Sequence, residues 1–166
     1  MTNATQTVQI YRVYIQATPQ AIWDAITKPE WTEKFGYGGR AEYDLRPGGA
    51  YRGLASEAMR AQGAPEVAAD GEVIEADPPH KLVQTWRMAM DPGMAAEGFT
   101  RLTYEISERQ NGVTSLTLTH DVSGAPKVAA LVSGQLEDQG AGGGWSLVLS
   151  GLKTLLETGK PLDWPG

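Results

Sequence analysis

His120 is the residue with the most versatile chemistry in this chain, because imidazole titrates near neutrality, and it stands between Thr119 and Asp121. A hydroxyl, an imidazole and a carboxylate in a row suggest a proton relay. In an extended segment side chains alternate, so His120 points away from both neighbours and the trio cannot work as a local unit. Three roles remain open for it: a hydrogen-bonded structural histidine, a ligand contact at a cavity edge, or a catalytic group. The other histidine, His80, follows Pro78-Pro79 and reads as a loop residue. Two histidines without His-x-x-x-His spacing, no cysteine and no accompanying carboxylate cluster argue against a metal site, and no cofactor is expected. No nucleophile with an assembled base is visible, so no catalytic residue is assigned and the balance is against an enzyme.

The other candidates are bulky rather than reactive. Trp86 and Met88 share one face of an extended segment, opposite Thr85 and Arg87. With that face turned inward, they join Tyr43, Leu102, Tyr104, Leu116, Leu118 and His120 in an apolar wall with a few polar tips. Trp145 opens a stripe with Val148, Leu149, Leu152, Leu155 and Leu156 at helical spacing, which makes an amphipathic helix. Between such a helix and such a wall a cavity is expected, with Tyr43, Trp86, Met88, Leu102, Tyr104, Leu118, His120, Trp145, Leu149 and Leu152 as its ligand-binding residues. Core packing competes with ligand contact at each of them. Gly151 inside the helix costs about 1 kcal/mol relative to alanine; room for a ligand or a close strand would offset it, and plain tolerance of the glycine is the alternative. Arg46, Arg52, Arg87 and Arg101 lie near strands; outward, solvated placement is the default, and an inward one would pair with an anionic ligand group or with Asp44 or Glu105. The run Gly140 to Gly144 lacks the spacing and the βαβ context of a phosphate loop and reads as a flexible lead into the helix.

These residues need a scaffold, and the sequence supplies a consistent one. Val8 to Gln16 alternates as a strand; Thr18-Pro19 caps a short helix carrying Ile22, Trp23 and Ile26; Glu30 to Phe35 makes a second. Ala41 to Leu45 and a strand from Tyr51 flank the turn Arg46-Pro47-Gly48-Gly49. Ala58 to Ala69 reads as a loop or a frayed hairpin tip. Strands follow at Gly71 to Ala76, Lys81 to Met90, Thr100 to Ser107 and Val113 to Val122, before the helix that Gly159 and Pro161 terminate. The expected class is α+β: a curved antiparallel sheet of six to seven strands wrapped round one long C-terminal helix, with two short helices after the first strand.

The chain has 166 residues and a formal charge of −6, with scattered lysines and arginines, which opposes a nucleic-acid partner. No window approaches the ~20 apolar residues of a membrane span, and Met1 to Thr7 carries no export signal, so a cytoplasmic location is expected. The absence of cysteine suits a reducing compartment. Residues 1–7 read as a disordered tail in which the sequon at Asn3 is a chance match, 8–160 as one domain and 161–166 as a second tail. Lys153 reads as exposed, and its replacement by alanine as costing under ~0.5 kcal/mol.

Several segments, in order, resemble the START-like, helix-grip superfamily also called SRPBCC or Bet v-like. They are Ala17-Thr18-Pro19 with Ile22-Trp23 and Pro29, Asp44 to Gly49 with Tyr51, Gly71-Glu72-Val73 with Pro78, Leu82 to Trp86, Thr114 to His120, and Gly144-Trp145 through Glu157. Within it the chain is similar to the branch named after the activator of the ATPase of heat-shock protein 90. The resemblance implies a cavity for a small apolar or amphipathic molecule, with a polyketide cyclase or aromatase-like enzyme or a chaperone-linked interaction module as alternatives. A monomer or homodimer is expected.

Overall fold

The computed structural model describes residues 7–163. The N-terminal tail and its sequon fall outside them, apart from Thr7, whose carbonyl accepts the Val122 N–H at 2.7 Å. The C-terminal tail is described as far as Asp163.

Seven strands form one antiparallel sheet: β1 (Val8–Ile15), β2 (Ala41–Tyr43), β3 (Ala50–Leu54), β4 (Val67–Asp77), β5 (Lys81–Met88), β6 (Thr100–Glu108) and β7 (Thr114–Asp121). Their spatial order is β1-β7-β6-β5-β4-β3-β2. Strands 2 to 7 are thus a meander, and β1 returns to the end of it, leaving β1 and β2 as the two edges. Period-two alternation is visible in burial: Leu116, Leu118 and His120 of β7 are closed from solvent, as are Leu102, Tyr104 and Ile106 of β6.

Helices α1 (Pro19–Thr27) and α2 (Pro29–Thr32) follow β1. Thr18 caps the first, its hydroxyl accepting the Ala21 N–H at 3.1 Å, and Pro19 occupies the first turn, where a missing N–H costs nothing. The final helix, Gly144–Thr158, ends at Gly159, whose φ of 77° lets its N–H reach the Leu155 carbonyl at 2.8 Å.

Three segments differ from the sequence expectation. Residues 58–69 are not a loop throughout: α3 (Glu57–Ala61) forms there, because Ser56 caps it through Met59 N–H and Ala58, Met59 and Arg60 favour a helix, and β4 then begins at Val67. Strand β5 stops at Met88, two residues short of the expected Met90, and Asp91 then caps a single turn, α4 (Pro92–Ala95). Between β7 and the last helix lies α5 (Pro126–Val132), which buries Val128, Ala129 and Val132, followed by a 3-10 turn at Glu137–Gln139. Its sequence signal is Pro126 at the first helical position followed by apolar Val128, Ala129 and Val132 at i, i+1 and i+4. The helix Gly144–Thr158 is therefore α6.

The Gly140 to Gly144 run begins exposed at Gly140 and ends closely packed at Gly142 to Gly144. Gly144 has φ +69°, a Cβ there would strike the Val132 carbonyl, and its N–H meets the Tyr37 hydroxyl at 3.1 Å. The run turns the chain sharply from α5 into α6 where the two helices nearly touch. Gly151 has the explanation its cost required: the backbone of Gly36 and the Cβ of Phe35 press against it, at 3.4 and 3.6 Å from where a Cβ would sit.

The arginines pair along the outer face. Arg87 makes a two-pronged bond to Asp70, its partner across β4 and β5, and stacks over Phe99. Arg46 bonds Asp44, and Arg52 bonds Glu42.

Lys153 is less free than expected. Its Nζ donates to the Tyr14 carbonyl on β1 and to Glu157, both at 2.7 Å, and Glu157 in turn accepts the Gln16 N–H at 2.8 Å. The Lys153 ammonium and that N–H together hold the Glu157 carboxyl below its ordinary range. This clasp ties α6 to the edge of the sheet. Lys153→Ala should accordingly cost about 1 kcal/mol rather than under ~0.5, because a tethered, partly shielded pair is worth more than a free surface one. Urea denaturation measures the difference, and a loss indistinguishable from zero would mean that the clasp opens in solution.

Candidate ligand-binding site

The inner face of the sheet carries two polar clusters, each set in apolar surroundings. The deeper one is built on Trp86, Thr100, His120 and Trp145. Leu102 sits opposite His120 on β6, and Gln9 sits opposite it on β1, so the ring is flanked on both sides before α6 covers it. The Trp145 indole N–H can only donate, and it meets His120 Nδ1 at 3.0 Å. That nitrogen must therefore be the acceptor, which places the ring proton on Nε2. Nε2–H donates to Thr100 Oγ1, with the two heavy atoms 2.7 Å apart, and the Thr100 hydroxyl donates onward to the Trp86 carbonyl at 2.9 Å. Every link has one donor and one acceptor, so the network assigns the neutral tautomer.

Trp86 and Trp145 also enclose the imidazole sterically, with ring centroids 5.4 and 5.9 Å from it. Burial lowers the His120 pKa to about 4, against a small opposing pull from Asp121. Protonation would bring a second N–H against the indole N–H. His120 is thus a neutral polar bolt between α6 and β6, and both of its nitrogens are committed.

The shallower cluster is Tyr43, Tyr51, Gln84 and Tyr104. Gln84 is fully buried, accepts from the Tyr43 hydroxyl at 2.6 Å, and donates to the Thr85 carbonyl at 3.3 Å. The Tyr43 and Tyr51 rings lie 4.8 Å apart. Burial pushes the Tyr51 hydroxyl up to about 12 and the Tyr43 and Tyr104 hydroxyls well above the usual phenol range, so all three act as neutral hydrogen-bonding groups. Met88 completes this wall, half-buried opposite Ala69.

The ten residues singled out from the sequence thus divide. Leu102, Leu118, His120, Trp145, Leu149 and Leu152 are packed into the core at 9% exposure or less, together with Trp86 and Tyr104. Tyr43 and Met88 are partly open. Gln84, Thr100 and Tyr51 were missed, although the alternation that turned Trp86 and Leu102 inward also turns Gln84 and Thr100 inward. Helix α6 leans on β1, α1 and α5, away from the β2 to β4 side that carries Tyr43 and Tyr51. Two hollows are found elsewhere. One of about 100 Å³ lies between Phe35-Gly36 and Gly151, and an open groove of about 520 Å³ lies over His80, Lys81 and Glu105. The space beside Trp145, expected to be hollow, is filled by the two indoles and the imidazole.

Among the described residues no group of three or more His, Asp or Glu is placed to hold a metal ion, and no helix is long and apolar enough to cross a membrane.

A seven-stranded antiparallel sheet gripping a C-terminal helix, with short helices closing one end, defines a helix-grip domain of the START-like, SRPBCC type. The chain belongs to the family of Activator of Hsp90 ATPase homolog 1-like proteins, whose model matches residues 16–157.

Solved structures agree on the fold. An HSP90 activator from Plasmodium falciparum is 23% identical, with 69% of this chain and 72% of that one covered and a TM-score of 0.52. CalU16 from Micromonospora echinospora is 22% identical over 96% of this chain and 68% of its own, with a TM-score of 0.61. The Aha1 dimer from Colwellia psychrerythraea is 18% identical over 92% and 98%, with a TM-score of 0.63. Comparison with curated protein sequences found no match.

Proposed function

We propose that this protein binds a small apolar or amphipathic molecule on the inner face of its sheet, on the side of β2 to β4. The observation that carries this reading is the Tyr43–Gln84 pair: a fully buried amide bonded to a tyrosine that is itself partly open, set among Tyr51, Met88 and Trp86. Such a wall offers apolar area with a few fixed polar tips, which is how small-molecule sites obtain both affinity and orientation. Met88 adapts to ligand shape because its side chain is unbranched and polarizable. Leu102, Leu118, Leu149 and Leu152 would pack behind this wall, toward β7 and α6, without touching the ligand, and the Trp145–His120 bolt would hold that packing rigid.

Binding fits better than a cyclase or aromatase reaction. His120 has no free nitrogen, and the tyrosines hold their protons too tightly to serve as bases near neutral pH. The lack of cysteine accords with a cytoplasmic site of action, and a monomer or homodimer with the dimer described for the Colwellia relative.

Native mass spectrometry of purified protein, with thermal shifts across an apolar and amphipathic library, tests the reading. Tyr43→Phe should weaken a bound ligand whose hydroxyl donates to the Tyr43 oxygen by about fivefold, since the Tyr43 proton is already given to Gln84 and one hydrogen bond is worth about 1 kcal/mol. If no library member binds and a stoichiometric protein co-purifies, the interaction-module reading replaces this one.

A further inference from the structure

Strand β1 lies at one edge of the sheet, and its backbone shows which of its groups are unpaired. The Thr7 carbonyl turns toward β7, where it meets Val122 N–H, whereas the Tyr14 carbonyl and Gln16 N–H turn away, toward Lys153 and Glu157. In an antiparallel strand this alternation runs the whole length. Val8, Ile10 and Arg12 therefore direct both their N–H and C=O outward from the edge, and no bond satisfies these groups among the described residues. The same three residues put their side chains on the outer face, where Ile10 is 67% exposed and Val8 43%.

Exposed edges are usually blunted by charge, brevity or a covering element. The opposite edge, β2, is only three residues long. The far half of β1 is shielded by the Lys153–Glu157 clasp. Residues 8–12 have neither protection, and their only charge is Arg12, whose Nε is bonded to Thr117.

We propose that a second copy of this chain pairs with β1 antiparallel about a two-fold axis through Ile10, joining two sheets into one. The self-complementarity is specific to this register. Ile10 lies opposite the partner's Ile10, and Val8 lies opposite the partner's Arg12, so every outward group of residues 8, 10 and 12 finds a mate in about six backbone hydrogen bonds. An axis two residues further on would oppose the two Arg12 side chains, and an axis at Tyr11 would need the Tyr14 carbonyl that Lys153 already holds. The pairing uses neither the ligand wall nor the His120 bolt, so it stands apart from the proposed binding function.

The chain contains no cysteine, so a single introduced thiol has one possible mate. Opposed residues in a hydrogen-bonded pair have Cα atoms about 5.5 Å apart, within disulfide range. Ile10→Cys should therefore cross-link into a covalent dimer under mild oxidation. Tyr14→Cys should not, since the two copies of position 14 lie roughly 27 Å apart along the strands. Ile10→Lys, pointing outward and away from the β7 ladder, should keep the far-ultraviolet circular dichroism of the folded chain yet raise the dimer dissociation constant at least about 30-fold by sedimentation, through two apposed ammonium groups in place of an apolar pair. Wild-type protein that stays monomeric at about 1 mM, a dimer unaffected by Ile10→Lys, or equal cross-linking through position 14 would each overturn the proposal.

Discussion

Trp145→Ala should remove about 5 kcal/mol of stability, a large share of the roughly 5–15 kcal/mol that holds a domain of this size together. Two losses add. Deleting a buried indole costs about 3–5 kcal/mol in lost transfer energy and unfilled volume, because Trp86 and the His120 ring can collapse only partly into the space. His120 Nδ1 then loses its sole donor, and a buried polar atom without a partner costs about 1–3 kcal/mol. Trp145→Phe separates the two: it restores most of the volume and leaves the nitrogen orphaned, so its loss should fall well below that of the alanine variant. Equilibrium denaturation followed by far-ultraviolet circular dichroism measures both. Equal losses for Trp145→Ala and Lys153→Ala would mean that α6 does not seat its tryptophan against the sheet.

Acidification should destabilise the protein by about 3 kcal/mol before its depressed carboxyls matter. The His120 imidazole has an ordinary value of 6.5 and a folded value of about 4, lowered chiefly by burial. Between those values the unfolded chain takes up a proton that the folded chain refuses. The associated stability is therefore fully present above about pH 6.5 and is lost as pH falls through about 4. At about 1.36 kcal/mol per pH unit the interval yields about 3 kcal/mol. Asp121, held low by the Ser123 hydroxyl and N–H, and Glu157, held low by Lys153, add their losses only at more acid pH, since each must first be protonated in the unfolded chain. His120→Leu should flatten the profile between pH 6.5 and 4.5 while keeping the steeper fall below it. An unchanged slope in that variant would show that another group carries the effect.

Much of the scaffold was legible because it depends on short-range periodicities. Alternation at Tyr11, Val13 and Ile15, and at Leu116, Leu118 and His120, follows from the two-residue repeat of a strand and needs no knowledge of neighbours. The stripe from Trp145 to Leu156 follows in the same way from the 3.6-residue repeat of a helix. Thr18-Pro19 and Gly159 mark helix ends through local backbone chemistry alone. Helices α3 and α5 were missed because each is short, and marginal helices owe their stability to tertiary packing as much as to propensity.

The site divided along the same line. That Trp86 shares a face with Met88, and His120 with Leu116 and Leu118, was determined by parity within their own segments, whereas which face turns inward was decided by the fold. That Trp145 donates to His120, and His120 to Thr100, was decided only by the fold, because those residues come from three elements and a hydrogen bond depends on tenths of an ångström between them. Likewise, the sequence established that an apolar helix stripe must meet an apolar wall. Whether the meeting would leave a hollow depended on how three aromatic rings interdigitate, and packing of that kind is a property of the assembled volume, which no single segment contains.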